Sequence, residues 1–421
     1  MKRTISLAIV LGLFVLQGPG HATAAGDDTW RALDLFGDVF ERLRSDYVEE
    51  VSDSDLIEAA IEGMLGSLDP HSSYYSPDAY AEAQVQTTGE FGGLGIEVTM
   101  ENGFVKVVAP IDDTPAQRAG VKAGDFVTHL DDEPLLGLTL NEAVERLRGP
   151  PDSEITLTIA REGVDEPITV AITRAIITIQ SVRWRLEKKV GYVRITSFTQ
   201  QTEGGIDDAM KAIGDAAAGD LQGIVLDLRN NPGGLLDQAI SVADSFLDQG
   251  EIVSTRGRRE GDAQRFHSES GDLAEGLPIV VLINGGSASG SEIVAGALQD
   301  HHRAIIMGTP SFGKGSVQSF MPLASGGAMR LTTARYYTPS GMSIQGTGIS
   351  PDIMVEEAVI QSSDVERLGE SDLVNSLDAG NAVPAEDEDG DASSRRSEQA
   401  LEDYQLSRAL DLIEGIALAS R

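Results

Sequence analysis

Over residues 176–355 short apolar runs alternate with amphipathic stretches, and few architectures can bury such a pattern. Apolar runs at 191–198, 223–228 and 279–283 predict strands, and the 3.6-residue spacing at 204–217, 235–247 and 291–302 predicts helices. Strand and helix in turn favour parallel pairing with crossover helices, and in such sheets ligands gather at the carboxyl ends of the strands. After His302 the texture turns β-rich, at 304–308, 316–321 and 329–337. The chemistry is therefore expected at the strand ends of an α/β core spanning 176–357.

A different texture precedes this core. Between residues 88 and 173, β-rich runs at 95–98, 104–108, 126–130, 154–160 and 167–173 surround one helical stretch, 140–147, with Asn141 as its expected N-cap. The region opens on Phe91-Gly92-Gly93-Leu94-Gly95-Ile96, a glycine-rich turn running into a strand. Successive N–H groups in such a turn can face an anion, and an exposed strand edge beside it can take up a peptide as an extra strand. A turn of this kind at Gly93, Leu94, Gly95 and Ile96 can grip a peptide's terminal carboxylate, or its glycines can serve only to make the bend tight.

The amino terminus carries Lys2 and Arg3, an apolar run from Ile5 to Leu16 and the small residues Ala22-Thr23-Ala24-Ala25. That is the order of a secretory signal peptide, so residues 1–24 are expected to be removed on export. The run is short for the roughly 20 residues of a spanning helix, and no stable membrane span is expected after cleavage. A retained leader would leave the chain membrane-associated. Within 25–84, apolar positions at helical spacing (Leu33, Phe36, Phe40, Leu43, then Ile57, Ile61, Met64) predict a helical segment, followed by a turn at Asp69-Pro70 and a structural His71. Residues 358–421 read as an acidic linker and a terminal helix, 398–418, that docks through Leu406, Leu410 and Ile413. Asp387, Asp389, Asp391 and Glu398 match calcium-loop positions, but Ala392 stands where that loop needs glycine, so no metal is expected.

Composition removes several chemistries. With 67 Asp+Glu against 32 Lys+Arg and a net charge of −35, nucleic-acid binding is not expected, because phosphate contacts need clustered cations. Cysteine is absent, which excludes thiol catalysis and zinc–thiolate sites. What remains is Asn284-Gly285-Gly286-Ser287-Ala288-Ser289-Gly290-Ser291-Glu292, built mostly of small residues, just after an apolar strand and just before a helix. A serine there sits beside the free N–H groups of a helix start, which can stabilise an oxyanion, but it needs a base. Lys314, flanked by Gly313 and Gly315, can serve only if burial lowers its pKa from the usual ~10.4. A P-loop reading of 308–314 fails on Gly315, and an S-x-x-K reading of Ser311 and Lys314 lacks its helix and K-T-G partner.

Gly93-Leu94-Gly95-Ile96, with Pro115-Ala116 and Ala119-Gly120-Val121-Lys122-Ala123-Gly124-Asp125 beyond it, resembles a PDZ domain, here 85–175. The runs 287–300 and 308–318, with Leu226-Asp227-Leu228-Arg229-Asn230-Asn231-Pro232-Gly233-Gly234 and Gly348-Ile349-Ser350-Pro351-Asp352-Ile353, resemble the carboxyl-terminal processing peptidases. The resemblance implies an α/β multidomain protein with a crotonase-like core, Ser289 as nucleophile, Lys314 as base and Gln318 orienting the lysine. It also implies an oxyanion hole from Gly290 and the Gly233-Gly234 turn, with Ser287 and Ser291 as capping decoys, Ser291 together with Glu292. Gly290 stands where the family more often has alanine, with a slightly looser turn the only expected consequence.

The implied protein is an exported, periplasmic serine endopeptidase without cofactor. It acts on proteins with free carboxyl termini, self-associates through its terminal helices and responds to an accessory activator. Two alternatives remain at this point: an inactive PDZ scaffold, and a Ser–His hydrolase using His301 or His302.

Overall fold

The computed structural model describes residues 24–101, 103–111, 113–358 and 403–419. The expected leader, apart from its last residue, and the acidic run around 387–398 lie outside them. The chain divides into two compact units after Tyr74, not at 84, so the helix Pro77–Thr88 belongs to the second. The first contains the helices Ala24–Asp46 and Asp53–Gly66, the latter capped by Ser52, whose hydroxyl accepts from Asp55 N–H at 3.1 Å. Trp30, Leu33, Phe36 and Val39 lie on the first helix with half or more of their surface exposed, or nearly so.

In the second unit, five antiparallel strands (Ile96–Glu101, Phe104–Pro110, Phe126–Leu130, Glu154–Ala160 and Ile168–Thr173) pair in chain order around a core that includes Val105, Val107, Leu157 and Ile159. The helix Leu140–Leu147 covers them. Its N-cap is Thr139, not Asn141, because Thr139 and Glu142 close a reciprocal capping box: Glu142 accepts from Thr139 N–H at 2.7 Å and the Thr139 hydroxyl from Glu142 N–H at 3.3 Å. The incoming segment Glu90–Gly93 and the outgoing Ala175–Thr178 pair antiparallel, a two-stranded neck leading to the core.

The core sheet runs in the order Val182–Glu187, Val190–Ile195, Gly223–Asp227, Ile279–Ile283, Ile305–Gly308, Ile353–Met354, parallel after its first antiparallel pair. Alternate residues face opposite layers. Ile224, Leu226, Ile279, Val281 and Ile283 meet the helices Thr202–Ala217, Leu236–Asp244 and Gly290–Asp300. Val225, Val280 and Leu282 meet Leu406, Ala409 and Ile413 of the helix Tyr404–Ala419. Burial on both faces explains why these strands read as unbroken apolar runs. Arg229, at the end of its strand, clasps the terminal helix by donating to both carboxylate oxygens of Asp403, at 2.8 and 2.7 Å. A second, antiparallel sheet joins Ser316–Pro322, Ala328–Tyr337, Glu251–Gly257 and Gln264–His267, the last two absent from the sequence-based expectation.

Candidate active site

The strand Ile279–Ile283 runs out into Asn284-Gly285-Gly286-Ser287-Ala288-Ser289, and the helix Gly290–Asp300 begins at the next residue. Hydrogen bonds pin this turn. The Ser287 hydroxyl donates to the Leu228 carbonyl at 2.8 Å, and the Ser291 hydroxyl to the Asn231 carbonyl at 2.9 Å. Both decoys are fully buried and committed to main-chain partners, so Ser291 does not cap the helix as expected. Ser289 differs. Its φ of +53° and ψ of −109° put a non-glycine residue in strained backbone, at a cost of roughly 1–3 kcal/mol that the surrounding bonds must offset.

The lysine loop is drawn to this turn by Glu292, whose side chain is wholly buried. Its Oε2 accepts from the N–H groups of Ser289 (2.8 Å) and Lys314 (2.9 Å), and its Oε1 from the Ser311 hydroxyl (2.6 Å) and Gly313 N–H (2.7 Å). The main chains of candidate nucleophile and candidate base therefore converge on one oxygen atom. Glu292 thus pairs with Ser289 rather than with its neighbour Ser291, and the Ser-x-x-Glu spacing from Ser289 is the local signature of that pairing.

Lys314 is half-buried. Burial, and secondarily the positive charge of Arg330, hold its pKa below the ordinary lysine value, while Glu292 pulls the other way. The net direction is the one a general base requires. Tyr336, almost fully buried, brings its hydroxyl within hydrogen-bonding reach of Ser289. Burial pushes its pKa up to about 12, so it keeps its proton and cannot act as base. His301 and His302 lie at the far end of a helix of 11 residues, a length of about 16 Å. His301 Nε2 bonds the Glu251 carbonyl at 2.8 Å, and the Ser–His alternative fails on this geometry.

Gln318 is placed differently from the expectation. Its amide donates to the hydroxyls of Ser316 (2.9 Å) and Thr332 (3.3 Å), and among the described residues no hydrogen bond joins it to Lys314. Arg330 and Glu292 are the residues whose charges act on the lysine. No sequence motif pointed to Arg330, because only the pairing of Ser316–Pro322 with Ala328–Tyr337 brings its strand alongside.

Gly233 packs against the serine: a Cβ there would come within 2.8 Å of Ser289 Cβ and 3.0 Å of Gly290 N. The glycine at 290 is a packing requirement rather than a loosened turn, since a Cβ would lie 2.9 Å from the Phe198 ring. In the β-rich domain, Leu94, Gly95 and Ile96 line a groove with Val144 and Leu147 of the covering helix and with Arg148. Gly95 has φ +78° and a Cβ would meet Thr114 at 2.3 Å, so only glycine fits this bend. Gly93 lines the same groove.

Three family models match the chain: peptidase family S41 over residues 189–355, PDZ domain over 106–161, and the N-terminal domain of the activating protease CtpB over 18–79. The chain is 54% identical over 405 residues to a carboxy-terminal-processing protease of Bartonella bacilliformis, covering 95% of this chain and 92% of the relative. It belongs to the carboxy-terminal-processing proteases of peptidase family S41. A probable CtpA-like serine protease of Staphylococcus aureus is 36% identical, over 79% of this chain and 66% of that one. Among solved structures, a photosystem II D1 C-terminal processing protease is 29% identical with a TM-score of 0.45, over 78% of this chain and 92% of that one. As a member of this family the chain is a serine peptidase with a PDZ domain and a mixed α/β core, acting on protein substrates. Among the described residues no helix is long and apolar enough to cross a membrane, and no cluster of side chains could hold a metal ion.

Proposed function

We propose that this S41 protease cleaves by a Ser289–Lys314 dyad and finds its substrates by their carboxyl termini. The observation that carries the reading is Glu292: one buried oxygen accepts from the main chains of both residues, while burial lowers the lysine pKa. Ser289 Oγ attacks the scissile carbonyl as neutral Lys314 Nζ takes its proton. The oxyanion is met by N–H groups of Gly290 and of the Gly233-Gly234 turn. The lysine ammonium then protonates the leaving amine, and water releases the acyl-enzyme.

The groove beside Leu94, Gly95 and Ile96 supports capture of a peptide terminus. The Leu94 and Gly95 N–H groups carry no hydrogen bond to another described residue, and Val144 and Leu147 offer an apolar seat for the last side chain. The charge order of residues 1–24 supports export to the periplasm. The experiment is digestion of an unfolded test protein with its carboxyl terminus free or amidated. The parent is expected to cleave the free form about tenfold or more faster, because the carboxylate is the charged part of the recognised group. Ser289→Ala should cleave neither. Turnover by Ser289→Ala would remove the nucleophile; equal rates on both substrates would remove tail recognition.

Self-association is part of the same reading. Trp30, Leu33 and Phe36 are 68%, 54% and 50% exposed on one helix, apolar surface that a second copy would cover. Light scattering is expected to give a particle of at least twice the mass of the exported chain, which without residues 1–24 is lighter than the 44.6 kDa of the full sequence; a mass of one chain at working concentration contradicts it.

A further inference from the structure

Two adjacent glycines make a poor scaffold for an oxyanion hole. Gly233 and Gly234 take φ of +106° and +149°, and glycine is the residue with the most conformational freedom to lose. Something has to hold the turn, and its hydrogen bonds show what does. The Gly233 carbonyl accepts from Phe198 N–H at 3.0 Å, and Leu235 N–H donates to the Phe198 carbonyl at 2.8 Å. A planar trans peptide points its C=O and N–H in opposite directions, so the Gly234 N–H faces away from Phe198. It carries no hydrogen bond to another described residue, and neither does the Gly290 N–H. The Gly233 N–H, by contrast, is already spent on Asn231 Oδ1 at 2.9 Å. Of the two turn glycines, Gly234 is the donor left for substrate.

Asn231 is the sole side chain in this set of bonds, and it is fully buried. Its Nδ2 donates to the Ile195 carbonyl at 3.0 Å, which ties it to the end of a core strand. Its main-chain carbonyl accepts from Ala288 N–H (3.0 Å) in the nucleophile turn and from the Ser291 hydroxyl (2.9 Å) at the start of the helix that follows it. The labour is thereby divided within one residue: the main chain holds the serine turn, and the carboxamide holds the glycine turn.

We infer that the Asn231 carboxamide is a positioning residue of the oxyanion hole, fixing Gly233 so that the next peptide presents the Gly234 N–H beside that of Gly290. This rests on Ser289 being the nucleophile. Because the bonds to the serine turn are main-chain, removing the side chain should spare Ser289 and Lys314 and loosen only the oxyanion donor.

The test is steady-state cleavage of an unfolded protein by full-length Asn231→Ala and Asn231→Ser, with melting temperature and a pH–rate profile for each. Losing an oxyanion donor outright costs about 10²–10³ in kcat, so a misdirected one is expected to cost about 10–100-fold in Asn231→Ala, with KM within about twofold. The pH midpoint, set by the base, should not move. A serine hydroxyl can bond the N–H two residues on, so Asn231→Ser should recover part of the rate. Wild-type kcat in folded Asn231→Ala overturns the inference, as does a pH midpoint that moves with kcat. If Asn231→Ala does not fold, the inference requires folded Asn231→Ser to keep the parent pH midpoint and KM with a reduced kcat; parent kcat or a shifted midpoint overturns it. A failure of the dyad itself would show separately, as residual activity in Ser289→Ala.

Discussion

Lys314→Met is expected to abolish peptide hydrolysis and at the same time to give a protein that melts at a higher temperature than the parent. Both effects follow from where the amine sits. Burial and Arg330 disfavour the ammonium form, so its pKa in the folded protein lies below the ordinary lysine value. The unfolded chain keeps the ordinary value and, in the pH window between the two, binds more protons than the folded one. Stability of the parent therefore rises with pH across that window, and below it the cost of a half-buried charge is fully present. Methionine has a similar shape and no such cost. The rate follows the same titration, because only the neutral amine accepts the serine proton, so kcat should climb with pH through the depressed lysine pKa. A histidine base would instead level off after titrating near ~6.5. The loss in Lys314→Met should be on the order of 10²–10⁴ in kcat. Hydrolysis within tenfold of the parent, or a melting temperature lower than the parent's at neutral pH, would contradict the account.

The parts of this fold that could be read from sequence are those whose burial is decided locally. Gly223–Asp227 and Ile279–Ile283 are covered on both faces and are apolar at nearly every position. The serine turn, sandwiched between such a strand and a helix, was visible for the same reason. Gln264–His267 has one apolar residue among four, and Val182–Glu187 interleaves Arg183, Trp184 and Arg185; each is a strand because of the neighbour it pairs with. The same distinction runs through the site. Ser289 and Lys314 stand in turns with their own signature. Asn231, Glu292, Arg330 and Tyr336 act through contacts between segments far apart in the chain, and Gln318, assigned from resemblance, bonds Ser316 and Thr332 instead. Gly290 shows how a tertiary neighbour decides a local residue, since Phe198 occupies the space an alanine methyl would need.

Glu292 is where the largest loss from a single side chain outside the dyad is expected. Four donors meet its two oxygens with no water access, and Glu292→Leu would leave all four unpaired. Each orphaned buried donor costs about 1–3 kcal/mol, so this variant should lose more than ~4 kcal/mol in denaturant unfolding, enough to unfold many domains. Glu292→Gln tests the same site more finely. Its amide group can face either pair of donors. Toward Ser289 and Lys314 it would oppose two N–H groups that have no other way to turn. Toward Ser311 and Gly313 it would meet one hydroxyl, and a hydroxyl can rotate to accept. The second orientation is therefore favoured: the Ser311 oxygen keeps the Ile349 N–H and accepts the amide on its other lone pair, while the Gly313 N–H and the Ser311 proton lose their acceptor, at a cost of ~1–3 kcal/mol for each donor left unpaired. The serine and lysine would still share Oε, so activity should fall but persist. Ser311→Ala removes the hydroxyl that makes this accommodation possible. Glu292→Gln should then be more damaging in the Ser311→Ala background than in the parent, a coupling of about 0.5–3 kcal/mol in a double-mutant cycle. Strict additivity of the two substitutions would mean that Glu292 does not hold the nucleophile and lysine loops together in the way its four hydrogen bonds indicate.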